Sequence, residues 1–188
     1  MSEFYEIEPS LENYWRAIIL FGRNVASYKF ALAKSLYELK ADGNTIITLD
    51  QLAEPFSKHI CEHLKLVDKQ ATSSSSKYLD FCRAFNSGEI DQQTLINKTV
   101  QFGFVNVIDA FHNVHQQELP KRFFMDARKT HKGIILTDEI FQLFEAQNSQ
   151  DLINETEARW RLVETAWDMN LPKHLVQIQH DDHGILVA

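Results

Sequence analysis

A chain of 188 residues with 44% hydrophobic and 24% charged side chains has the composition of a soluble globular domain, and 13 Phe and 3 Trp are enough for a substantial core. The net charge of −7 argues against an autonomous nucleic-acid binder that ignores sequence. The longest apolar runs, such as "AIILF" at 17–21, are too short to cross a bilayer, so no membrane span is expected.

In chain order, no basic n-region precedes an apolar stretch, so no secretory signal is expected. Ser10 after Pro9 reads as a helix N-cap, and Leu11, Tyr14, Trp15, Ile18, Val25, Tyr28, Leu32, Leu36 and Leu39 then keep helical spacing. That pattern predicts one long amphipathic helix or two helices meeting near Gly22, ended by "ADGN" at 41–44. "TIITL" at 45–49 predicts a short strand or an extended entry, and Asp50 is the expected cap of a helix over 51–66. Tyr78, Phe81, Cys82 and Phe85 mark a further helix ended by "NSG", and another is expected over 91–102. "FVNVIDAF" at 104–111 reads as a buried helix.

The pattern changes after residue 120. "KRFFMDA" (121–127), "KGIILT" (132–137) and "HLVQIQHDDHGILV" (174–187) read as strands, the last with a hairpin turn at "DDHG", with helices at about 138–147 and 150–169 between them. The expected fold is α+β, predominantly helical with a small antiparallel sheet in the C-terminal half. One domain is expected over 1–188, helical over about 10–115 and mixed over about 120–188. Cys61 and Cys82 fall in helical patterns and make no disulfide framework, which suits reduced thiols in a cytoplasmic protein.

Two motifs invite chemistry. "HICEH" at 59–63 matches H-x-x-E-H, in which His59 and His63 would grip a metal ion and Glu62 would act as base, with a third ligand such as Glu139. Chance produces so short a pattern easily in a His-rich helix, and packing explains it without a metal. "HNVH" at 112–115 reads as a helix end, where a histidine is favoured by the dipole. "KQATSSSSK" at 69–77 has two readings. It is a polar loop with a good N-cap, or it is a phosphate site in which hydroxyls, Lys69, Lys77, Arg83 and a helix N-terminus converge. Charge is uneven: residues 121–132 hold Lys121, Arg122, Arg128, Lys129 and Lys132 against Asp126, and 138–170 are strongly acidic.

The segments "PSLENYWRAIILFGRNVASYKFALAKSLYEL" (9–39), "LAEPFSKHICEHLK" (52–65), "KQATSSSSKYL" (69–79), "NVIDAFHNV" (106–114), "RFF" (122–124) and "EARWRLVETAW" (157–167) together resemble the N-terminal region of bacterial HNH-type endonucleases. The resemblance covers most of the chain. Such a nuclease cuts with a ββα finger that holds a general-base His, an orienting Asn and a metal-binding His. Proteins of this kind carry the finger after the region seen here, so no catalytic residue carries over and a divalent metal is expected only in a following nuclease module. The resemblance implies a non-catalytic targeting domain, without a cofactor of its own, whose partner is DNA. It tips the serine stretch towards phosphate contact, through Lys69, Ser73, Ser74, Ser75, Ser76, Lys77 and Arg83, joined by Arg122, Arg128 and Lys129. The rival expectation is a protein-interaction or dimerisation module; the third is a zinc peptidase built on His59, Glu62 and His63.

Overall fold

Ser10 starts the first long helix by accepting the Asn13 N–H at 3.1 Å, as its residue type predicts. The computed structural model describes residues 4–22, 25–73, 75–171, 179–180 and 186–187. A short helix α1 (Phe4–Ile7) precedes α2 (Leu11–Phe21), and α3 (Tyr28–Leu39) follows the break at Gly22. The turn out of α2 requires a glycine, because a Cβ on Gly22 would lie 2.5 Å from the Ile18 carbonyl oxygen. The chain then forms β1 (Ile46–Thr48) and α4 (Leu49–Leu66). Thr48, not Asp50, caps α4, because Thr48 and Gln51 make a reciprocal capping box that Asp50, already inside the helix, does not.

Helix α5 (Lys77–Asn86) and α6 (Gln92–Lys98) come next, and α6 runs into a π-helical turn at Thr99–Gly103. The buried Thr99 hydroxyl bonds back to the Leu95 carbonyl at 2.8 Å and to the Tyr78 hydroxyl at 3.1 Å, a back-bond of the kind that distorts a helix. The expected helix over 104–111 is reduced to α7 (Val107–Ala110). "HNVH" directly follows the end of α7, at Phe111, and runs on into a hairpin. Asn113–Val114 (β2) pairs with Gln117–Glu118 (β3) across a two-residue turn, with His115 and Gln116 both at positive φ.

The main sheet has the order β1–β5–β4 and is antiparallel, with β4 at Phe124–Ala127 and β5 at Gly133–Leu136, joined by α8 (Arg128–His131). One face buries Ile47, Phe124, Ile134 and Leu136; the other carries Ile46, Ile135 and Met125 as cross-strand neighbours. Helices α9 (Asp138–Glu145) and α10 (Ser149–Asp168) follow, and β6 (Gln179–His180) pairs antiparallel with β7 (Leu186–Val187). That pairing matches the expected hairpin, whose "DDHG" tip lies outside the described residues. The fold is therefore α+β and mainly helical, and no described helix is long and apolar enough to cross a membrane.

Two tryptophans organise the core. Trp15 of α2 is buried edge-on against Phe111, Phe123 and Phe144. Trp160 of α10 stacks on Phe30 of α3 and lies flat on the His63 ring of α4, so α10 closes over the α3–α4 pair.

Candidate nucleic-acid interface

The serine segment is anchored on both sides. Residues 70–72 dock against 25–27: Ser27 N–H donates to the Gln70 carbonyl at 3.0 Å, and Thr72 N–H to the Val25 carbonyl at 2.9 Å. Ser76 caps α5, accepting the Leu79 N–H, and its hydroxyl shares a 2.9 Å hydrogen bond with Tyr28. The Ser73 hydroxyl folds onto the Ser75 backbone, donating to its carbonyl at 2.9 Å. Ser74 lies outside the described residues. The hydroxyls of Ser73 and Ser76 are thus committed to the loop and the cap, and Ser75 is left exposed.

Most of the expected cations are also committed. Arg83 donates to Asp68 at 2.7 Å and to Asp80 at 2.9 Å. Arg128 bridges Asp126 and Asp109, at 2.8 and 2.6 Å. Arg122 pairs with Glu118, and Lys69 donates to the Asn170 side chain at 2.6 Å. Lys129 is exposed and without an ion pair among the described residues. An arginine already matched by one or two carboxylates offers a phosphate little net charge, so Arg122 and Arg128 contribute less to such a contact than the uneven charge of 121–132 suggests.

Unpaired charge also sits where α5 meets the end of α6. Lys77, at the first turn of α5, holds its ammonium 4.5 Å from the centre of the Phe102 ring. Lys98 lies 5.0 Å from the Phe81 ring and 5.9 Å from Phe102. The two phenylalanines stack on each other, 5.8 Å apart and 15° from parallel. Among the described residues neither lysine has a carboxylate partner; the nearby Asp80 is held by Arg83, and Asp91 caps α6 through the Thr94 N–H. Each cation–ring contact is worth about 0.5–1 kcal/mol at an exposed site and fixes the ammonium without neutralising it. The sequence reading missed Lys98, Phe81 and Phe102. Their signal was a Lys-x3-Phe spacing in both helices, which puts cation and ring on one helical face.

The H-x-x-E-H histidines turn to different partners. His59 bonds Glu38 of α3 at 2.6 Å, while Glu62 stands 4.0 Å from its other nitrogen. His63 bonds Glu164 at 2.8 Å and Glu157 at 3.3 Å, both on α10. Glu139 faces Lys121 instead. Among the described residues, no group of three or more His, Cys, Asp or Glu is arranged to hold a metal ion. Burial, and then the charge of Lys34, lowers the His59 pKa against the pull of Glu38. Burial also lowers His63, but its hydrogen bonds to Glu157 and Glu164 outweigh that and raise it. His112 accepts the Phe123 N–H on Nε2 at 2.9 Å; burial and the Arg122 charge bring its pKa down to about 3, so it is a neutral core residue. The buried network continues from Glu164 to Gln70, which accepts from Ser27 and from the Trp160 indole N–H. No protein-family model, curated protein or solved structure matches this chain.

Proposed function

We propose that this chain is a non-catalytic accessory domain that holds a nucleic-acid backbone, with the contact running through Lys77, Lys98, Phe81 and Phe102 beside the serine segment. The observation that carries this reading is the pair of ammonium groups fixed over one stacked phenylalanine pair without a carboxylate on either. Phosphates respond to such unpaired, pre-positioned charge. The resemblance of the sequence to the N-terminal region of HNH-type endonucleases supports a nuclease as the setting. In this reading the domain positions DNA and supplies no cutting residue, and any divalent metal belongs to the nuclease module.

The test is binding of the chain to duplexes of unrelated sequence, followed by fluorescence anisotropy as salt is raised. Lys77→Ala and Lys98→Ala are each expected to weaken binding equally on every sequence and to flatten the log Kd against log salt slope by about 0.9. Ser76→Ala is expected to lower stability by about 0.5–2 kcal/mol through the lost cap and to leave the salt slope unchanged. A slope unaltered in both lysine variants would contradict the proposal. A second reading, contact with another protein, draws on the apolar row Ile46–Ile135–Met125 across the outer sheet face, where Ile46 and Met125 are 42% and 47% exposed. A chain that fails to bind nucleic acid even at low salt would leave that reading in its place.

A further inference from the structure

The cluster that carries the unpaired charge also presents two aromatic rings. Phe81 and Phe102 are both only half-buried, and their centres stand 5.8 Å apart with the planes 15° from parallel. Parallel rings at that separation are offset, so each leaves part of a face uncovered by the other. The rings are placed by the core and not by the lysines. Phe102 belongs to the π-helical turn and packs against the core. Gly103 beside it lets that turn close, because a Cβ there would stand 3.3 Å from both the Phe56 and the Tyr78 ring. Phe81 is carried by α5 next to the fully buried Cys82.

The spacing of the two charges fits a single strand. The Lys77 and Lys98 ammonium groups lie 4.5 and 5.9 Å from the same Phe102 centre, close enough together to reach neighbouring phosphates along one backbone. In a duplex the base faces are closed by the stack, so only phosphates would engage this cluster. An unpaired base has a free face. When an ammonium swings from a ring to a phosphate it exchanges a weak contact for a charge-assisted one, and it uncovers the ring. A base stacked there gains more than the exposed cation–ring contact gave up.

We propose that the ligand of this surface is single-stranded nucleic acid, with a base stacked on the Phe81–Phe102 pair and the flanking phosphates held by Lys77 and Lys98. The inference rests on the backbone contact proposed above and adds the bases to it. Stacking needs only a π-face, so any base serves and no strong sequence preference arises. The net charge of −7 is compatible with such a ligand, because a strand held partly by stacking needs fewer cations than a duplex held by charge alone.

The test uses the native chain and fluorescent ligands of one length, about 12 nucleotides. They are an oligothymidylate, the same backbone with abasic sites throughout, and a duplex. Anisotropy at one low salt concentration gives a Kd for each. The oligothymidylate is expected to bind at least about fivefold tighter than the abasic strand, and tighter than the duplex. Phe81→Leu is expected to bring the ratio between oligothymidylate and abasic strand towards one. Equal binding of those two strands would overturn the stacking and leave the backbone contact standing, and so would a duplex that binds as tightly as the oligothymidylate. Failure of every ligand to bind would overturn the backbone contact and this inference with it. The comparison of ligands on one native chain needs no variant to fold.

Discussion

Replacing His63 by alanine is expected to lower stability by about 3–5 kcal/mol in urea unfolding, because it leaves an acceptor-rich buried site without its imidazole. Glu164 is 1% exposed and would keep only the Gln70 amide, at 2.6 Å. The Trp160 indole would lose a ring stacked 3.5 Å away. Glu157 retains Lys34 and Arg161, so the loss falls mainly on Glu164. The effect should depend on pH with a sign fixed by two shifts. The His63 pKa is raised in the folded chain, so its contribution is full below the ordinary imidazole range and is lost as pH rises through the folded value. The Glu157 pKa is depressed, first by its hydrogen bond from His63 and also by Lys34 and by both charges, with burial opposing; its contribution is present above the ordinary carboxylate range and is lost as pH falls towards the folded value. The gap between the parent and His63→Ala should therefore be widest between those ranges, at about pH 4.5–6.5, and narrow on the alkaline side. Urea midpoints for both chains across pH check this; a gap independent of pH would show that the imidazole acts by packing alone.

Trp15→Ala is expected to cost about 3–5 kcal/mol and to broaden unfolding. The indole is 1% exposed and meets Phe111, Phe123 and Phe144 edge-on at ring distances of 6.0, 5.2 and 5.0 Å. It therefore ties α2 to α9 and to the segments on either side of the β2–β3 hairpin, and its removal leaves a void that those elements cannot jointly close. Trp15→Phe should be much milder, since the buried indole N–H has no hydrogen-bond partner among the described residues and nothing polar is lost with it. Denaturant unfolding of the two variants beside the parent separates the volume effect from the polar one.

The helices were legible where period and punctuation agree. Ser10, the Leu11–Ile18 spacing and Gly22 predicted α2 and its end, and the β-branched runs at 45–49 and 132–137 marked strands, though not that the first pairs with the second. The start of α4 was misplaced because Asp50 and Thr48 are both good caps, and only the Gln51 side chain decides between them. The β2–β3 hairpin was hidden because His115 and Gln116 take the left-handed positions that Asn-Gly normally announces. "FVNVIDAF" misled because an apolar, buried run need not be regular. The site was less legible than the fold. Arg83 with Asp68 and Arg128 with Asp109 are ion pairs between separate segments, so the basic residues read as free until the chain is folded. The His63–Glu164–Gln70 network joins three distant segments in the same way. The Lys-x3-Phe pairs were visible on the page, but each is ordinary by itself, and only packing α5 against the end of α6 brings the two rings together.

The most direct measurement is photocrosslinking at low salt to a duplex carrying 5-bromouracil, with the attached peptides identified by mass. A backbone held at Lys77 and Lys98 should place crosslinks in peptides spanning 77–83 and 98–102, and Lys77→Ala combined with Lys98→Ala should abolish them. Crosslinks confined to 121–132, or unchanged in the double variant, would contradict the assignment of this surface.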